Sequence, residues 1–245
     1  MLQLRLGMPI AGGEAVTECK CGAHADASFK NARHWMTVCK NSWRTVCHNK
    51  ARDVIAGMYK SIKIPVEIEV GGRYSHINSQ GESRPADILP SATAMGCDKE
   101  QALDVAFTDP TAASAIRQGS DTIPLKAAQL RHERKLYDFR QMMTEAARAG
   151  APIEKVPLVM ETTGAFSKEM QVWWRGMVKL EQEQRADGAP MSLRDQGLEH
   201  TWSANDWSAF QLQKLSFTTF RMLAEAIIKK INQNLPEHEW LTTQR

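Results

Sequence analysis

Two different hydrophobic periods alternate along the chain, and together they predict a mixed α/β protein. Helical spacing of apolar residues marks four segments: 41–62, 124–149, 167–187 and 203–234. Four shorter segments show the alternation or the short apolar run that is typical of strands: 66–70, 86–89, 102–108 and 156–160. The predicted order is helix, three strands, helix, strand and two helices. This order favours one mixed sheet flanked by helices.

Composition places the chain among ordinary globular proteins. Its 245 residues include 42% apolar and 24% charged residues, which fits one large domain with a sizeable core. No apolar run approaches the ~20 residues that a membrane span needs, so we expect no membrane partner. The first ten residues lack a long apolar region, which argues against a secretory signal. Five cysteines, an odd number, argue against a closed disulfide framework, and we expect an intracellular protein.

The positive charge is concentrated in one stretch. The whole chain carries +3, whereas residues 29–63 hold eight basic residues and a single acid, Asp53, which gives +7. The basic residues are Lys30, Arg33, Lys40, Arg44, Lys50, Arg52, Lys60 and Lys63. Such a patch attracts polyanions such as a phosphate backbone. The alternative is a solvated helix face whose charges are balanced elsewhere in the fold.

A cluster of cysteine and histidine near the N-terminus has the composition of a zinc site. Cys19, Cys21, His34 and Cys39 follow the pattern C-x-C-x12-H-x4-C. Zinc takes four thiolate or imidazole ligands in a tetrahedron, and two close cysteines plus a His and Cys pair supply them. His24 is an alternative third ligand. The competing interpretation is that these are reduced cysteines packed as small hydrophobic residues.

Two aspartates lie on or beside predicted strands. Asp87 precedes one strand, and Asp104 lies within the next. Neighbouring strands can bring the two carboxylates together, and oxygen ligands of this kind suit Mg²⁺, which activates water in phosphate hydrolysis. Lys135, on the following helix, is the candidate for a nearby positive charge. The alternative is that each acid caps a turn or pairs with an arginine such as Arg84.

Taken in order, these pieces resemble a known family. The matching segments are LRLGMP at 4–9, CKCG at 19–22, H-x4-C at 34–39, CHN at 47–49, RPAD at 84–87, LDV at 103–105, K-x-Y at 135–137 and VPLVMETTG at 156–164. They resemble the C-terminal end of the polyprotein of non-LTR retroelements that carry a restriction-like endonuclease. In that family a CCHC zinc knuckle lies just before a nuclease of the PD-(D/E)XK type.

The resemblance implies an α/β fold with a PD-(D/E)XK restriction-endonuclease-like mixed sheet flanked by helices and a small N-terminal zinc knuckle. The knuckle would span residues 1–40, the nuclease core 41–165, and a helical extension that packs on the core 166–245. The implied partners are DNA and retroelement RNA, and the implied location is the nucleus. The implied cofactors are structural zinc and catalytic magnesium.

The resemblance also assigns roles to individual residues. Asp87 and Asp104 match the magnesium-binding acids, and Lys135 matches a catalytic lysine displaced onto the following helix. Cys19, Cys21, His34 and Cys39 match the zinc ligands. Glu161 lies in a shared segment with no assigned role. His48 and Asn49 match a basic-polar motif near the start of the domain. Together with the basic residues singled out above, the residues expected to contact nucleic acid are Arg44, His48, Asn49, Lys50, Arg52 and Arg84.

The sequence departs from the family pattern at three points. Ala86 separates proline from aspartate in the PD-like motif, and Cys47 stands where the family often has arginine. No reverse transcriptase signature is present, so we expect a fragment, a degenerate copy or a domesticated remnant.

The function implied is a Mg²⁺-dependent nicking endonuclease, and the alternative is an inactive nucleic-acid-binding remnant. A third hypothesis is an interaction domain built on Trp202, Trp207 and Trp240, although core packing is the favoured role of these aromatics.

Overall fold

A computed structural model describes residues 43–69, 86–186 and 206–234, and these form an α/β protein with a four-stranded mixed sheet packed against helices. The strands are β1 (Val66–Ile68), β2 (Ile88–Pro90), β3 (Glu100–Thr108) and β4 (Ile153–Glu161). The helices are α1 (Trp43–Ser61), α2 (Ala92–Met95), α3 (Ala113–Ile116), α4 (Lys126–Arg148), α5 (Lys168–Ala186) and α6 (Trp207–Asn234). None of the helices described is long and apolar enough to cross a membrane.

The sheet follows chain order, β1-β2-β3-β4. The first three strands are antiparallel, with Ile68 opposite Ile88 and Ile88 opposite Leu103. β4 then runs parallel to β3 over the whole length of both strands, from Glu100 opposite Ile153 to Thr108 opposite Glu161. A parallel neighbour requires a crossover connection, and α4 lies within it.

The two faces of β3 and β4 are covered by different kinds of residues. Leu103, Val105, Leu158 and Met160 face a large core cluster that also takes side chains from α1, α5 and α6. Alternation along a strand turns the intervening residues to the opposite face, where α4 packs. β3 is therefore a central strand that is buried on both sides.

The interface between α4 and the sheet is built mainly from small residues. Ala106 and Val159 of the sheet contact Ala128 of α4, and Ala102 of the sheet lies in a cluster with Ala146. Small side chains on both surfaces allow a helix to approach a sheet closely. Polar side chains on this face therefore lie between the sheet and α4 and are largely shielded from solvent.

Two tryptophan indoles of the large core are hydrogen-bonded to residues of a distant segment. The indole Nε1 of Trp173 in α5 donates a hydrogen bond of 2.8 Å to the hydroxyl of Tyr59 in α1. The indole Nε1 of Trp207 in α6 donates one of 2.9 Å to the hydroxyl of Ser61. Trp174 stacks on Trp207 with the two rings 6° from parallel. These contacts join α1, α5 and α6 around one core.

The hydrophobic pattern predicts all four strands and the four long helices, and the structure confirms them with shifts of a few residues at their ends. The predicted strand at 66–70 ends at Ile68, and the strand predicted over 86–89 occupies Ile88–Pro90. The pattern does not predict α2 and α3, because four residues are too few to show a helical period. Trp207 is buried in the core, in agreement with the packing role favoured for it, whereas Trp202 and Trp240 lie outside the described residues.

Replacing Tyr59 by Phe tests the buried Tyr59–Trp173 hydrogen bond. The change leaves the indole N–H without its partner in the core, so we expect the free energy of unfolding to fall by about 1–3 kcal/mol. Urea denaturation of the two proteins measures the difference. Tyr137→Phe, at an exposed tyrosine, is the matched control and should be neutral. Equal losses in both variants would show that the hydrogen bond does not stabilise the core.

Candidate active site

Asp87 is fixed to β3 by both its backbone and its side chain. Its backbone N–H donates to the carbonyl of Leu103 at 2.9 Å. Its Oδ2 accepts a hydrogen bond of 2.7 Å from the backbone N–H of Val105. The two contacts bracket Asp104, which lies between Leu103 and Val105. The start of β2 is thereby held beside the central residue of β3, and the two predicted acidic residues become neighbours.

The second carboxylate oxygen of Asp87 contacts a histidine of α1. His48 Nε2 lies 3.2 Å from Asp87 Oδ1, and both side chains are partly exposed. Burial raises the pKa of Asp87, but the hydrogen bond and charge of His48 and the N–H of Val105 outweigh burial, so the pKa lies below its ordinary value. The carboxyl group is therefore ionised at neutral pH.

Asp104 lies between two lysines. Lys135 Nζ of α4 is 2.7 Å from Asp104 Oδ2, and Lys155 Nζ of β4 is 3.7 Å from Asp104 Oδ1. The Asp104 side chain is 8% exposed, which would be costly for a carboxylate without cationic partners. The predicted pairing of Asp104 with Lys135 is therefore present as an ion pair between the central strand and α4.

Lys155 is the more deeply buried of the two lysines. Its side chain is fully buried, whereas that of Lys135 is 20% exposed. Its Nζ also lies 3.7 Å from the centre of the Phe139 ring, a cation–π contact. Burial lowers the pKa of Lys155, Asp104 opposes this effect and the charge of Lys135 adds to it, so that the resulting pKa is about 8. Asp87 also acts on this lysine, so both acids and both lysines form one electrostatic cluster.

We call Asp87, Asp104, Lys135 and Lys155 the acid–lysine cluster. Mg²⁺ prefers oxygen ligands, keeps several water molecules and is commonly held by only one or two protein carboxylates, so the donor set of the cluster fits this cation. Within residues 43–69, 86–186 and 206–234, no three His, Cys, Asp or Glu side chains converge on a possible metal position. Substrate phosphate and water would have to complete the coordination.

Glu161 does not belong to this cluster. It stands opposite Thr108 in the parallel register, four residues beyond the partner of Asp104, which is roughly 13 Å along the strand. Its Oε1 accepts a hydrogen bond from the backbone N–H of Ala128 at 3.3 Å. Burial raises the pKa of Glu161 despite this hydrogen bond. The carboxyl group contacts the first turns of α4 from the end of β4.

Two basic residues of α1, Lys50 and Arg52, have acidic partners. Lys50 Nζ is 3.2 Å from Glu225 Oε2 of α6. The buried guanidinium of Arg52 contacts Asp53 and Glu69, and it also donates to Asn49 Oδ1 at 3.5 Å. For Lys50 and Arg52, this arrangement agrees with the alternative in which the positive charges are balanced elsewhere in the fold. A direct phosphate contact by these residues stays a prediction.

Several predicted site residues lie outside the part of the chain that the structure describes. Arg84 and the four proposed zinc ligands are among them: Cys19, Cys21, His34 and Cys39. His24, the alternative ligand, lies there as well. Arg44 lies in α1, but its side chain is not described. The zinc site therefore stays a prediction.

The sequence pattern does not predict two contacts of the acids. His48 contacts Asp87, and its predicted contact with nucleic acid stays a prediction. Lys155 contacts Asp104, and its position in the sequence carries a signal. Ile153, Lys155 and Val159 share one face of β4, and a lysine among apolar residues on a buried strand requires a nearby acid.

The chain matches no protein-family model, and a search of curated proteins finds no match.

The pH dependence of stability tests the burial of Lys155. The pKa is about 8 in the folded chain and near 10.5 in the unfolded chain, so between these values the unfolded chain binds more protons. Wild-type stability should therefore rise with pH relative to Lys155→Met. Between pH 7 and pH 10 in EDTA, we expect the difference between the two free energies of unfolding to move by about 2 kcal/mol in favour of wild type.

Chemical denaturation at several pH values provides this measurement. Lys179→Met replaces a lysine of α5 that is 77% exposed and serves as the control. Its difference from wild type should not change with pH. A pH-independent difference for Lys155→Met as well would show that Lys155 titrates as it does in the unfolded chain.

Proposed function

We propose that the protein is a Mg²⁺-dependent DNA endonuclease of the restriction-endonuclease-like class that nicks one strand. The observation that carries this proposal is the acid–lysine cluster: Asp87, just before β2, accepts a hydrogen bond from Val105 beside Asp104 on the central strand, and the partly exposed Lys135 contacts Asp104. The mixed sheet flanked by helices supports the same class, as does the order of its elements. The N-terminal zinc knuckle is part of the proposal as a nucleic-acid-binding segment.

The residues of the cluster have separate tasks in this proposal. Asp87 and Asp104 would hold the cation, which when bound supplies an activated water and neutralises the charge on the phosphate. Val105 N–H and His48 orient the Asp87 carboxylate, so its direction is set before substrate arrives. Lys135 is close enough to Asp104 to share its charge and exposed enough to contact an incoming phosphate or water.

A second candidate function rests on a specific feature of the same site. Both carboxylates already have cationic or donor partners within the protein: Lys135 and Lys155 for Asp104, and His48 for Asp87. A cluster neutralised in this way is also what a structural role requires. In that case the chain is an inactive nucleic-acid-binding remnant that uses its knuckle and the basic residues of α1.

Plasmid nicking separates the two functions. We expect supercoiled DNA to be converted to the open circular form with Mg²⁺ and not with EDTA. Asp104→Asn and Asp87→Asn should each reduce the rate at least about a hundredfold, because each removes a cation ligand while keeping the side-chain shape. Glu183→Gln, at an exposed glutamate of α5, should leave the rate unchanged.

Equal nicking by wild type and both aspartate variants would exclude the catalytic assignment. If the folded wild type does not nick, the inactive alternative predicts salt-dependent binding of DNA or RNA. That binding should be lost in Cys19→Ser and Cys39→Ser if the knuckle carries it. Binding that survives both changes would assign the contact to another surface.

A further inference from the structure

The two lysines of the acid–lysine cluster differ in their freedom to move. Lys155 projects from the parallel strand β4 with its side chain fully buried, and its Nζ lies over the Phe139 ring at 3.7 Å. Lys135 projects from α4 with a side chain that is 20% exposed. A ligand that approaches Asp104 from solvent can displace Lys135 at small cost. Displacing Lys155 would require moving the strand or opening the contact with α4.

The charges of the cluster limit how many cations it can accept. Asp87 and Asp104 contribute two negative charges, and Lys135 and Lys155 contribute two positive ones. Two divalent cations would add four positive charges to a balanced cluster. The described part of the chain brings no third acidic side chain to these two, so the excess would have no protein partner. One cation that takes over the contact of Lys135 leaves a much smaller excess.

We propose that Lys155 is a fixed internal counter-ion that takes the place of a second metal ion. The site then binds a single divalent cation. When that cation binds, Lys135 moves and Lys155 stays in place. The inference rests on the proposed function, because it takes the cation to be the cofactor of that function. Lys155 is thus a positioning residue: it holds Asp104 from inside the fold, and its charge weakens the attraction of the carboxylates for cations.

Calorimetric titration with Mn²⁺ at pH 7 tests how many cations the cluster binds. The full chain is first saturated with Zn²⁺. Wild type should bind one Mn²⁺ per chain at the cluster. Lys155→Met removes the fixed charge while it keeps an apolar stem of similar length beside Phe139. We expect this variant to bind Mn²⁺ at least about tenfold more tightly, because a positive charge 3.7 Å from the ligand carboxylate is gone.

Lys179→Met, the exposed lysine of α5, is the control and should bind Mn²⁺ as wild type does. If wild type binds two Mn²⁺ ions per chain and Asp104→Asn loses both, the inference is overturned. This outcome does not depend on how any variant of Lys155 behaves. Unchanged or weaker binding by folded Lys155→Met would also overturn the inference, and so would a folded wild type that binds no Mn²⁺.

The nicking assay keeps this result distinct from the proposed function. A wild-type chain that binds one Mn²⁺, binds it more tightly after Lys155→Met and yet cuts no DNA would support the counter-ion role and exclude the endonuclease. A chain that nicks DNA through Asp104 but binds two Mn²⁺ would exclude the counter-ion role and leave the endonuclease in place.

Discussion

The structure depends on placing an aspartate with two lysine partners in the middle of its central strand. Asp104 lies on β3, which is covered on both faces, and an isolated charge there would cost several kcal/mol. Two lysines compensate this cost: Lys135 on the crossover helix α4 and Lys155 on the strand that follows it, β4. The crossover that makes β4 parallel to β3 therefore also supplies both partners of Asp104.

Packing and chemistry are linked through this arrangement. Alanines on α4 and on the sheet bring the helix close enough for Lys135 to contact the strand. The opposite face of the sheet has large apolar residues and packs against α1, which carries His48 to Asp87. The acid–lysine cluster thus lies where the small-residue face of the sheet meets the start of β2. Replacing any partner of Asp104 changes both the charge balance and the contact between elements.

The sequence predicts much of this fold, because long amphipathic segments show their period clearly. Asp87 and Asp104 could be predicted because acidic residues on or beside apolar strands need a reason, and Lys135 because such a site calls for a nearby positive charge on the following helix. The role of Lys155 could not be predicted without the parallel register, which places it on the same face as Asp104. The contact of His48 with Asp87 could not be predicted either, because the sequence pattern does not show that α1 points this residue at Asp87. The local spacing of apolar residues predicts helices and strands. The ion pairs of Asp87 and Asp104 depend on contacts between segments that are distant in the sequence, which this spacing does not show.

The most direct test of the account is the position of a bound cation. A crystal of the full chain grown with Mn²⁺, measured at the manganese absorption edge, gives an anomalous difference map that locates the metal independently of any activity. The account predicts one peak within bonding distance of the Asp87 and Asp104 carboxylates, with Lys155 still buried and Lys135 moved away from Asp104. A map with no peak at these carboxylates, while Lys135 stays paired with Asp104 at saturating Mn²⁺, would contradict it.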